Sequence, residues 1–348
     1  MYVAILFVLL MVLAVLAFFE DKGVLRKSWL LFLVGMVLTF YVAFRPAGLD
    51  KDYMSYLGYF YNPTGIVAKM TEPTFKLING LARLCQAPLL LFVIYAFISV
   101  PLKINAIKRL SPYWYLSMLV WFTHLFLIQE MTQIRVAVAS GMFLFAIPYI
   151  ADGRKWMSLL CITLSILFHY SALALLPILF LGNKDLSRIF RLLLFVVPVA
   201  MYVFPFAGMD MIKLIPFPFL QQKIQMYEDL MIYKGGIWAD INIFNIMALV
   251  RLFTYYMLLL KYDYLKDKYP YMPILLKIFC YSISLYVGLS FLPPLAMRLQ
   301  ELIAIIDCIM LPLLAVLVRP HWLGRMLVIL YTVGVFMANL FLYKLFRI

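Results

Sequence analysis

The sequence predicts an all-α, polytopic integral membrane protein with about 10 to 12 transmembrane or re-entrant helices, since about 20 apolar residues cross a bilayer as a helix. Two observations support this class. Hydrophobic residues make up 66% of the 348 residues, and apolar runs recur from end to end. Most breaks between these runs are short and carry Lys or Arg, as loops between membrane helices do. Helices are expected because lipid cannot satisfy unpaired backbone groups.

The membrane-crossing candidates follow one another along the whole chain. They are 2–19, 29–44, 86–102, 113–128, 132–150, 156–181, 191–207, 243–260, 272–292, 302–318 and 326–343. The first run lacks a basic leader and a cleavage site of small residues, so we expect a retained helix and not a signal peptide. We predict a single membrane domain over residues 1–348, with longer outer-side segments at 45–85 and 208–242.

The positions of Lys and Arg predict the orientation of the chain. Lys103, Lys108 and Arg109 are expected in a cytoplasmic loop. The cations that begin at Lys184 are expected on the same side, which requires an even number of crossings between 155 and 184. The run 156–181 is therefore expected to be broken or re-entrant, and it carries His169 near its middle. Irregular helices at membrane depth are tolerated where they line a cavity, so this run indicates a site.

The formal net charge of +14 does not indicate a nucleic-acid-binding protein. The cations are dispersed in loops among apolar helices, with no contiguous basic face, so they favour contact with membrane lipids. The four cysteines and three histidines are isolated in the sequence and lack the spacing of a metal site.

The richest polar stretch follows the second apolar run. Arg45, Asp50 and Asp52 precede Tyr53 and Tyr56. A guanidinium group can hold phosphate, carboxylates accept hydrogen bonds from sugar hydroxyls, and tyrosine rings offer a surface to sugars. The alternative is an interfacial aromatic belt in which an Arg–Asp pair holds the loop.

A second polar stretch separates two strongly apolar runs with almost no loop. It contains Gln129, Glu130, Gln133 and Arg135. Such groups at membrane depth are unfavourable unless they are paired or line a polar cavity, which favours a functional role. The alternative is a structural pair between Glu130 and Arg135.

Three further residues are candidates. Glu72 and Pro73 have the composition of a helix start. His169 is either a neutral imidazole hydrogen-bonded inside the bundle or a base that takes a proton from an attacking hydroxyl. Arg298 lies at a predicted helix start, where a cation needs an anionic partner, either Glu301 or a bound phosphate.

The order of these landmarks resembles that of a known family. The landmarks are Arg45, the Asp-Tyr-x-x-Tyr pattern of Asp52, Tyr53 and Tyr56, Glu72-Pro73, Gln133-Ile134-Arg135, Phe168-His169-Tyr170-Ser171-Ala172, and Arg298. The chain resembles the EpsG-type, Wzy-like O-antigen and exopolysaccharide polymerases of bacterial inner membranes. The likeness is best over residues 1–180.

The resemblance implies a GT-C-like membrane glycosyltransferase that needs no metal, cofactor or nucleotide sugar. It would transfer a growing glycan from undecaprenyl pyrophosphate to the non-reducing end of a lipid-linked repeat unit, at a site facing the periplasm. Arg135 and Arg298, with Arg45, are expected to hold the pyrophosphate, because converging guanidinium groups can stabilise its developing charge. His169 or Asp52 is expected to activate the acceptor hydroxyl.

The remaining candidates are expected to contact substrate, and whether Asp50 or Asp52 fills the acidic role stays open. The substrate-binding set is Arg45, Asp50, Tyr53, Tyr56, Glu72, Gln129, Glu130 and Gln133. Expected partners are the undecaprenyl-pyrophosphate-linked oligosaccharide, membrane lipids, a chain-length regulator and a flippase. The alternative functions are a glycan ligase, a transferase using a polyprenyl-phosphate sugar, a lipid-linked oligosaccharide flippase or transporter, and a membrane acyltransferase.

Overall fold

The computed structural model describes residues 2–21, 25, 27–50, 52–65, 70–203 and 241–346. Nearly all of these residues are helical, and in the described ranges β-pairing is limited to an isolated bridge between Asp50 and Phe346. The all-α class is therefore confirmed. Of the predicted outer-side segment 208–242, all but the last two residues lie outside the described ranges.

The helices of the described residues run in the following order. They are α1 (Tyr2–Phe18), α2 (Ser28–Ala43), α3 (Tyr53–Tyr61), α4 (Pro73–Leu84), α5 (Pro88–Leu110), α6 (Trp114–Trp121) continued by a π-helix (Phe122–Glu130), α7 (Ile134–Ala151), α8 (Lys155–Phe168), a 3₁₀ helix (Tyr170–Phe180), α9 (Arg188–Val203), α10 (Ile246–Leu260), α11 (Tyr262–Lys266), α12 (Met272–Gly288), α13 (Pro293–Ile303), a 3₁₀ turn (Ala304–Ile306), α14 (Asp307–Leu317), and α15 (His321–Met337) continued by a π-helix (Ala338–Leu342).

Several of these helices can cross a membrane. Four stretches are long and apolar enough by themselves: Pro88–Leu110, Ile134–Ala151, Pro293–Leu317 and His321–Leu342. Shorter apolar helices, including α1, α2, α8, α10 and α12, accompany them. Their outward faces carry exposed apolar side chains such as Val8 and Phe32, as expected of surfaces that meet lipid. The polytopic membrane architecture is therefore confirmed.

The chain divides into two compact units. The first comprises Met1–Phe180 and Ile305–Ile348, and the second comprises Leu181–Ala304. The prediction of one membrane domain over the whole chain stays a prediction.

Helix α7 lies at the centre of the first unit. It packs against α5 and against α8, and most of its residues are buried. A side chain built on Gly141 of α7 would place its Cβ 3.4 Å from the Ser99 carbonyl oxygen and 3.5 Å from Lys103 Cγ, both on α5. These are ordinary contact distances, so α5 and α7 pack directly against each other at this point.

The first unit contains two irregular stretches, and both involve predicted candidate residues. Helix α8 ends at Phe168, and His169 is extended, with φ −155° and ψ 118°, before the 3₁₀ helix begins. The break expected within 156–181 is therefore confirmed. The π-helix after α6 ends at Glu130, and π-type hydrogen bonds continue from Met131 N–H to the Phe126 carbonyl and from Gln133 N–H to the Ile128 carbonyl.

The structure corrects one part of the orientation argument. Lys103 was expected in a cytoplasmic loop, but α5 continues to Leu110 and encloses Lys103, whose exposure is 0%. The lysine stays in the helix because Glu130 forms an ion pair with it. Lys108 and Arg109 do lie at the end of the helix.

The second unit is built around α12. Helices α9 and α10 pack against it. The Tyr255 hydroxyl of α10 donates a hydrogen bond to the Leu194 carbonyl of α9 at 2.7 Å, and the Arg251 side chain of α10 donates to the Ser282 hydroxyl of α12 at 2.7 Å. These polar contacts join otherwise apolar helices.

Candidate functional site

Three segments that are distant in the sequence bring together Glu72, His169 and Arg135. Glu72 is the N-cap residue of α4, with Pro73 at the first helical position, as predicted for a helix start. The break after α8 turns the His169 side chain out of its helix. Arg135 is the second residue of α7. Each side chain is therefore placed at a helix end, where it is not constrained to an apolar helix face.

Glu72 is the centre of this group. One carboxylate oxygen, Oε1, lies 2.9 Å from His169 Nδ1. The other, Oε2, accepts a hydrogen bond from Arg135 Nη1 at 2.5 Å. The side chains are sheltered, with 5% of Glu72, 15% of His169 and 23% of Arg135 exposed. A single carboxylate thus holds both an imidazole and a guanidinium group.

These contacts determine the ionisation of Glu72. Burial by itself would raise the pKa of the carboxyl group, but the hydrogen bond from His169 and the positive charge of Arg135 outweigh that effect and lower the pKa to about 2. Hydrogen bonds and opposite charges favour the ionised form. Glu72 is therefore a carboxylate at neutral pH and does not act as a proton donor there.

The contact with Glu72 also selects the arrangement of protons on His169. A carboxylate accepts hydrogen bonds, so Nδ1 of a neutral imidazole carries the proton and Nε2 keeps its lone pair. Nε2 is buried and has no hydrogen-bond partner among the described residues, so a substrate hydroxyl reaches it only when neighbouring side chains move. A histidine oriented in this way has the form of a general base.

Aromatic side chains surround Arg135. Its guanidinium carbon lies 5.4 Å from the centre of the Phe75 ring, and the side chain interacts with the Tyr56 hydroxyl. Tyr56 is buried, and its burial raises the pKa of the phenol to about 12 against the opposing charge of Arg135. The Tyr56 ring also packs against Phe75, at 5.9 Å between ring centres. Tyr56 therefore supports Arg135, and its predicted contact with sugar stays a prediction.

Arg45 forms a neighbouring buried cluster. Its Nε donates to Asp50 Oδ2 at 3.1 Å, and its Nη1 donates to the Glu130 carbonyl at 3.3 Å. The guanidinium carbon lies 4.5 Å from the centre of the Phe92 ring and 5.8 Å from that of Tyr53. The structure thus contains the Arg–Asp pair that was the alternative interpretation of this loop.

Asp50 is fully occupied in this cluster, while Asp52 is half-buried. Asp50 Oδ1 accepts the backbone N–H groups of Asp52 at 3.0 Å and of Tyr53 at 2.8 Å, at the start of α3. Asp50 and Asp52 have the spacing of the DxD motif of metal-dependent glycosyltransferases, but the Arg45 guanidinium already neutralises Asp50. A divalent cation would have to compete with that group, so this pair is a poor metal site.

The stretch from Gln129 to Glu130 forms a second buried polar cluster. Glu130 is paired with Lys103 of α5 and accepts a hydrogen bond from Ser99. Gln129 Oε1 accepts from Lys103 Nζ at 3.2 Å and from Ser140 at 2.7 Å. The alternative pair of Glu130 with Arg135 is therefore wrong, because the π-helix directs Glu130 towards α5 while Arg135 begins the next helix and meets Glu72.

Lys103 is the residue of this cluster that the sequence argument missed. The signal was available: Lys103 lies within a single long apolar run, 88–110, with Pro101 two residues before it. The predicted crossing 86–102 stops before Lys103 because its charge indicates a loop, whereas a membrane helix can carry a lysine that has an anionic partner. A lysine inside such a run indicates a buried anionic partner.

Two candidates remain, Gln133 in the first unit and Arg298 in the second. Gln133 is the N-cap residue of α7 and is half-buried. Arg298 is exposed, on α13 of the second unit, six residues into the helix that begins at Pro293. Its predicted contact with pyrophosphate stays a prediction.

Comparison with known proteins agrees with this architecture. The model of the EpsG family matches residues 28–347, which is nearly the whole chain. Neither curated proteins nor solved structures give a match. The matched region contains all the candidate site residues, the whole second unit and most of the first, so the resemblance is not confined to the first half of the sequence. The chain belongs to the EpsG family, and it is a multi-pass membrane protein of the glycosyltransferase-type polysaccharide polymerases.

Proposed function

We propose that this protein extends a polysaccharide by transferring a growing glycan from a polyprenyl pyrophosphate donor, in bacteria undecaprenyl pyrophosphate, to a sugar hydroxyl of a second lipid-linked repeat unit. The observation that carries the proposal is the contact of Glu72 with both His169 and Arg135. The group combines a base, a carboxylate that orients it and a cation. Glycosyl transfer to a hydroxyl requires a base and a group that stabilises the departing phosphate.

In this mechanism His169 is the general base. The acceptor hydroxyl oxygen forms a bond to the anomeric carbon of the donor, and its proton passes to Nε2 of His169. Glu72 holds the imidazole in the required tautomer and stabilises the imidazolium that forms, as the buried carboxylate does in a catalytic triad. The pKa of Glu72, lowered to about 2, keeps it ionised throughout the working pH range.

Arg135 acts on the leaving group. As the bond from the anomeric carbon to the pyrophosphate oxygen breaks, the electron pair leaves with the lipid pyrophosphate. A guanidinium group stabilises that charge and is always protonated. Arg135 is 23% exposed, so it can meet a ligand while Glu72 holds it. Arg298 is a further proposed contact for the diphosphate, and Asp52 for the sugars. Arg45 and Tyr53 are buried in their own cluster, so we propose that they hold the start of α3 and do not touch substrate.

The experiment is chain extension by the purified protein in lipid vesicles, with a synthetic lipid-pyrophosphate repeat unit. His169→Gln is expected to lower kcat about 10² to 10⁴-fold, the usual contribution of a general base. Arg135→Ala is expected to lower it about 10² to 10³-fold, as the loss of one charge-stabilising donor does. Arg83→Ala, an exposed arginine of α4, is the matched control and should retain activity.

Two results would overturn the proposal. One is normal chain extension by His169→Gln and Arg135→Ala at normal expression. The other is a wild-type protein that uses a polyprenyl-monophosphate sugar and leaves the pyrophosphate donor untouched, which would favour the alternative transferase.

A further inference from the structure

The cluster around Lys103 has no direct role in the proposed reaction. Lys103, Gln129 and Glu130 are 0%, 0% and 1% exposed, so no substrate reaches them in this structure. Their side chains contact one another, together with Ser99 and Ser140. Lys103 also lies 5.6 Å from the centre of the Trp121 ring. The cluster therefore joins α5, the end of the π-helix and α7.

Stability by itself does not account for a charged pair in this place. Bringing an ammonium and a carboxylate into a buried site carries a large desolvation cost, and an apolar pair of the same size is often as stable or more stable. A buried ionic pair does differ from an apolar pair in one respect. Its geometry is specific, because the partners lose their stabilisation when they move apart.

The backbone next to this pair is irregular, so a side-chain contact there can hold it in one conformation. Between Phe126 and Gln133 the hydrogen bonds are of the π type. π-Helical segments are rare and occur often at functional sites. Side-chain contacts therefore hold the junction between α6 and α7 in place.

This junction supports both arginines of the neighbouring clusters. The main-chain carbonyl of Glu130 accepts the hydrogen bond from Arg45 Nη1, at 3.3 Å. Five residues later Arg135 reaches Glu72. A displacement of Glu130 would therefore move the carbonyl that holds Arg45 and the helix start that carries Arg135.

We infer that Lys103 and Glu130 are positioning residues, a buried ion pair that holds the 129–135 junction so that Arg135 meets Glu72. This assigns Glu130 and Gln129 a supporting role in place of the substrate contact predicted from the sequence. The inference rests on the proposed function for its effect on catalysis, but the position of Arg135 can be measured without turnover.

The first measurement is the reactivity of Arg135 towards phenylglyoxal, read by peptide mass spectrometry on the full-length protein in vesicles. The variant Lys103→Met/Glu130→Leu replaces the pair by apolar side chains of similar size. It is expected to fold, and Arg135 should react several-fold faster than in the wild type. Arg83, already exposed on α4, should react at the same rate in both proteins. Unchanged reactivity of Arg135 would overturn the inference.

The second measurement is the kinetics of chain extension. If the pair positions Arg135, the double variant should lose about tenfold or more in kcat, with KM within about twofold, since the lost interaction acts in the transition state. Lys103→Arg, which keeps the ion pair with Glu130, should retain a higher kcat than the double variant. An equal kcat in the double variant and the wild type would overturn the inference.

Two further results separate the inference from its premises. If Lys103→Met/Glu130→Leu does not fold, Lys103→Gln/Glu130→Gln removes both charges while it keeps polar side chains of similar size, and the labelling of Arg135 decides in the same way. If the wild type lacks polymerase activity while the labelling changes as expected, the proposed function fails and the positioning role stands.

Discussion

Glu72 makes more contacts with charged or titratable side chains than its position at a helix start would suggest. The side chain of an N-cap residue usually accepts a hydrogen bond from a backbone N–H of the first helical turn. The Glu72 carboxylate makes no such capping bond to α4 and contacts the side chains of His169 and Arg135. The Glu-Pro pair indicated the helix start correctly. Its partners His169 and Arg135 lie 97 and 63 positions away along the chain, so the sequence around Glu72 does not identify them.

The lowered pKa of Glu72 predicts a specific dependence of stability on pH. The unfolded chain binds a proton near the ordinary value of 4.5, whereas the folded protein does so near 2. The stabilisation is therefore complete above pH 4.5 and is lost as pH falls towards 2, with a total of about 3 kcal/mol. Thermal unfolding in detergent should show the wild type and Glu72→Gln converging over this range. A constant difference between them would contradict the assignment.

Arg45 provides a second prediction at the residue scale. Its planar group bonds Asp50 and the Glu130 carbonyl while it lies over the Phe92 ring. Lysine keeps the charge but cannot reproduce this geometry, so Arg45→Lys is expected to lower the free energy of unfolding by about 2 to 4 kcal/mol. Arg83→Lys, the same change on an exposed face, should have no measurable effect. Thermal unfolding of both variants makes the comparison.

At the scale of elements, two glycines at helix contacts differ in the space around them. A Cβ on Gly324 of α15 would lie 2.7 Å from the Ala315 carbonyl oxygen and 2.8 Å from Ala315 Cα of α14. These are backbone atoms, so the two helices would have to separate. At Gly141 of α7 the nearest atoms are at 3.4 Å, an ordinary contact distance.

We therefore expect opposite results from the same substitution. Gly324→Ala should destabilise the protein by about 1 to 3 kcal/mol, the usual cost of overpacking. Gly141→Ala should leave stability nearly unchanged, since the added methyl group fits. Thermal unfolding in detergent distinguishes the two, and an unchanged stability of Gly324→Ala would show that the α14–α15 contact adjusts freely.

Irregular helices carry the candidate site at this scale. The break after α8 frees His169, and the π-helix directs Glu130 towards α5. Both stretches lie within strongly apolar sequence. If either stretch formed a regular helix, the helix would continue past the polar residue and would not place that side chain at a helix end. Membrane proteins tolerate irregular backbone where it is enclosed by protein or lines a cavity.

At the scale of the whole molecule, the orientation in the membrane is still an expectation and a native cysteine can test it. Cys85 follows α4 directly and is the exposed cysteine of the four; Cys161, Cys280 and Cys308 are buried. If the candidate site faces outwards, a membrane-impermeant maleimide should label Cys85 in intact cells. Cys85→Ser should abolish that labelling.

A cysteine introduced near the start of α8, on the side predicted to be cytoplasmic, provides the opposite control. Trp156, near the predicted cytoplasmic Arg154 and Lys155, is 84% exposed. In a Cys85→Ser background, Trp156→Cys should be labelled only after the cells are permeabilised. Labelling of Trp156→Cys in intact cells, together with protection of Cys85, would reverse the orientation.

The sequence by itself determined the class of the protein, the order of its helices and the break near His169. These follow from local properties: hydropathy sets which runs enter the bilayer, and Lys and Arg mark the loops between them. The order of these short motifs was enough to indicate the family. The end of α5 was misplaced because the local pattern of Pro101 and Lys103 is the same for a loop and for a membrane helix with a buried partner.

Only the tertiary structure decided which charges meet. Arg45 pairs with Asp50, Lys103 with Glu130, and Arg135 with Glu72. Electrostatic pairing depends on distance in space, and the last two pairs join residues 27 and 63 positions apart. Hydropathy carries no information on which acid a buried cation faces, so the roles of Lys103 and Glu72 became visible only when the helices were packed.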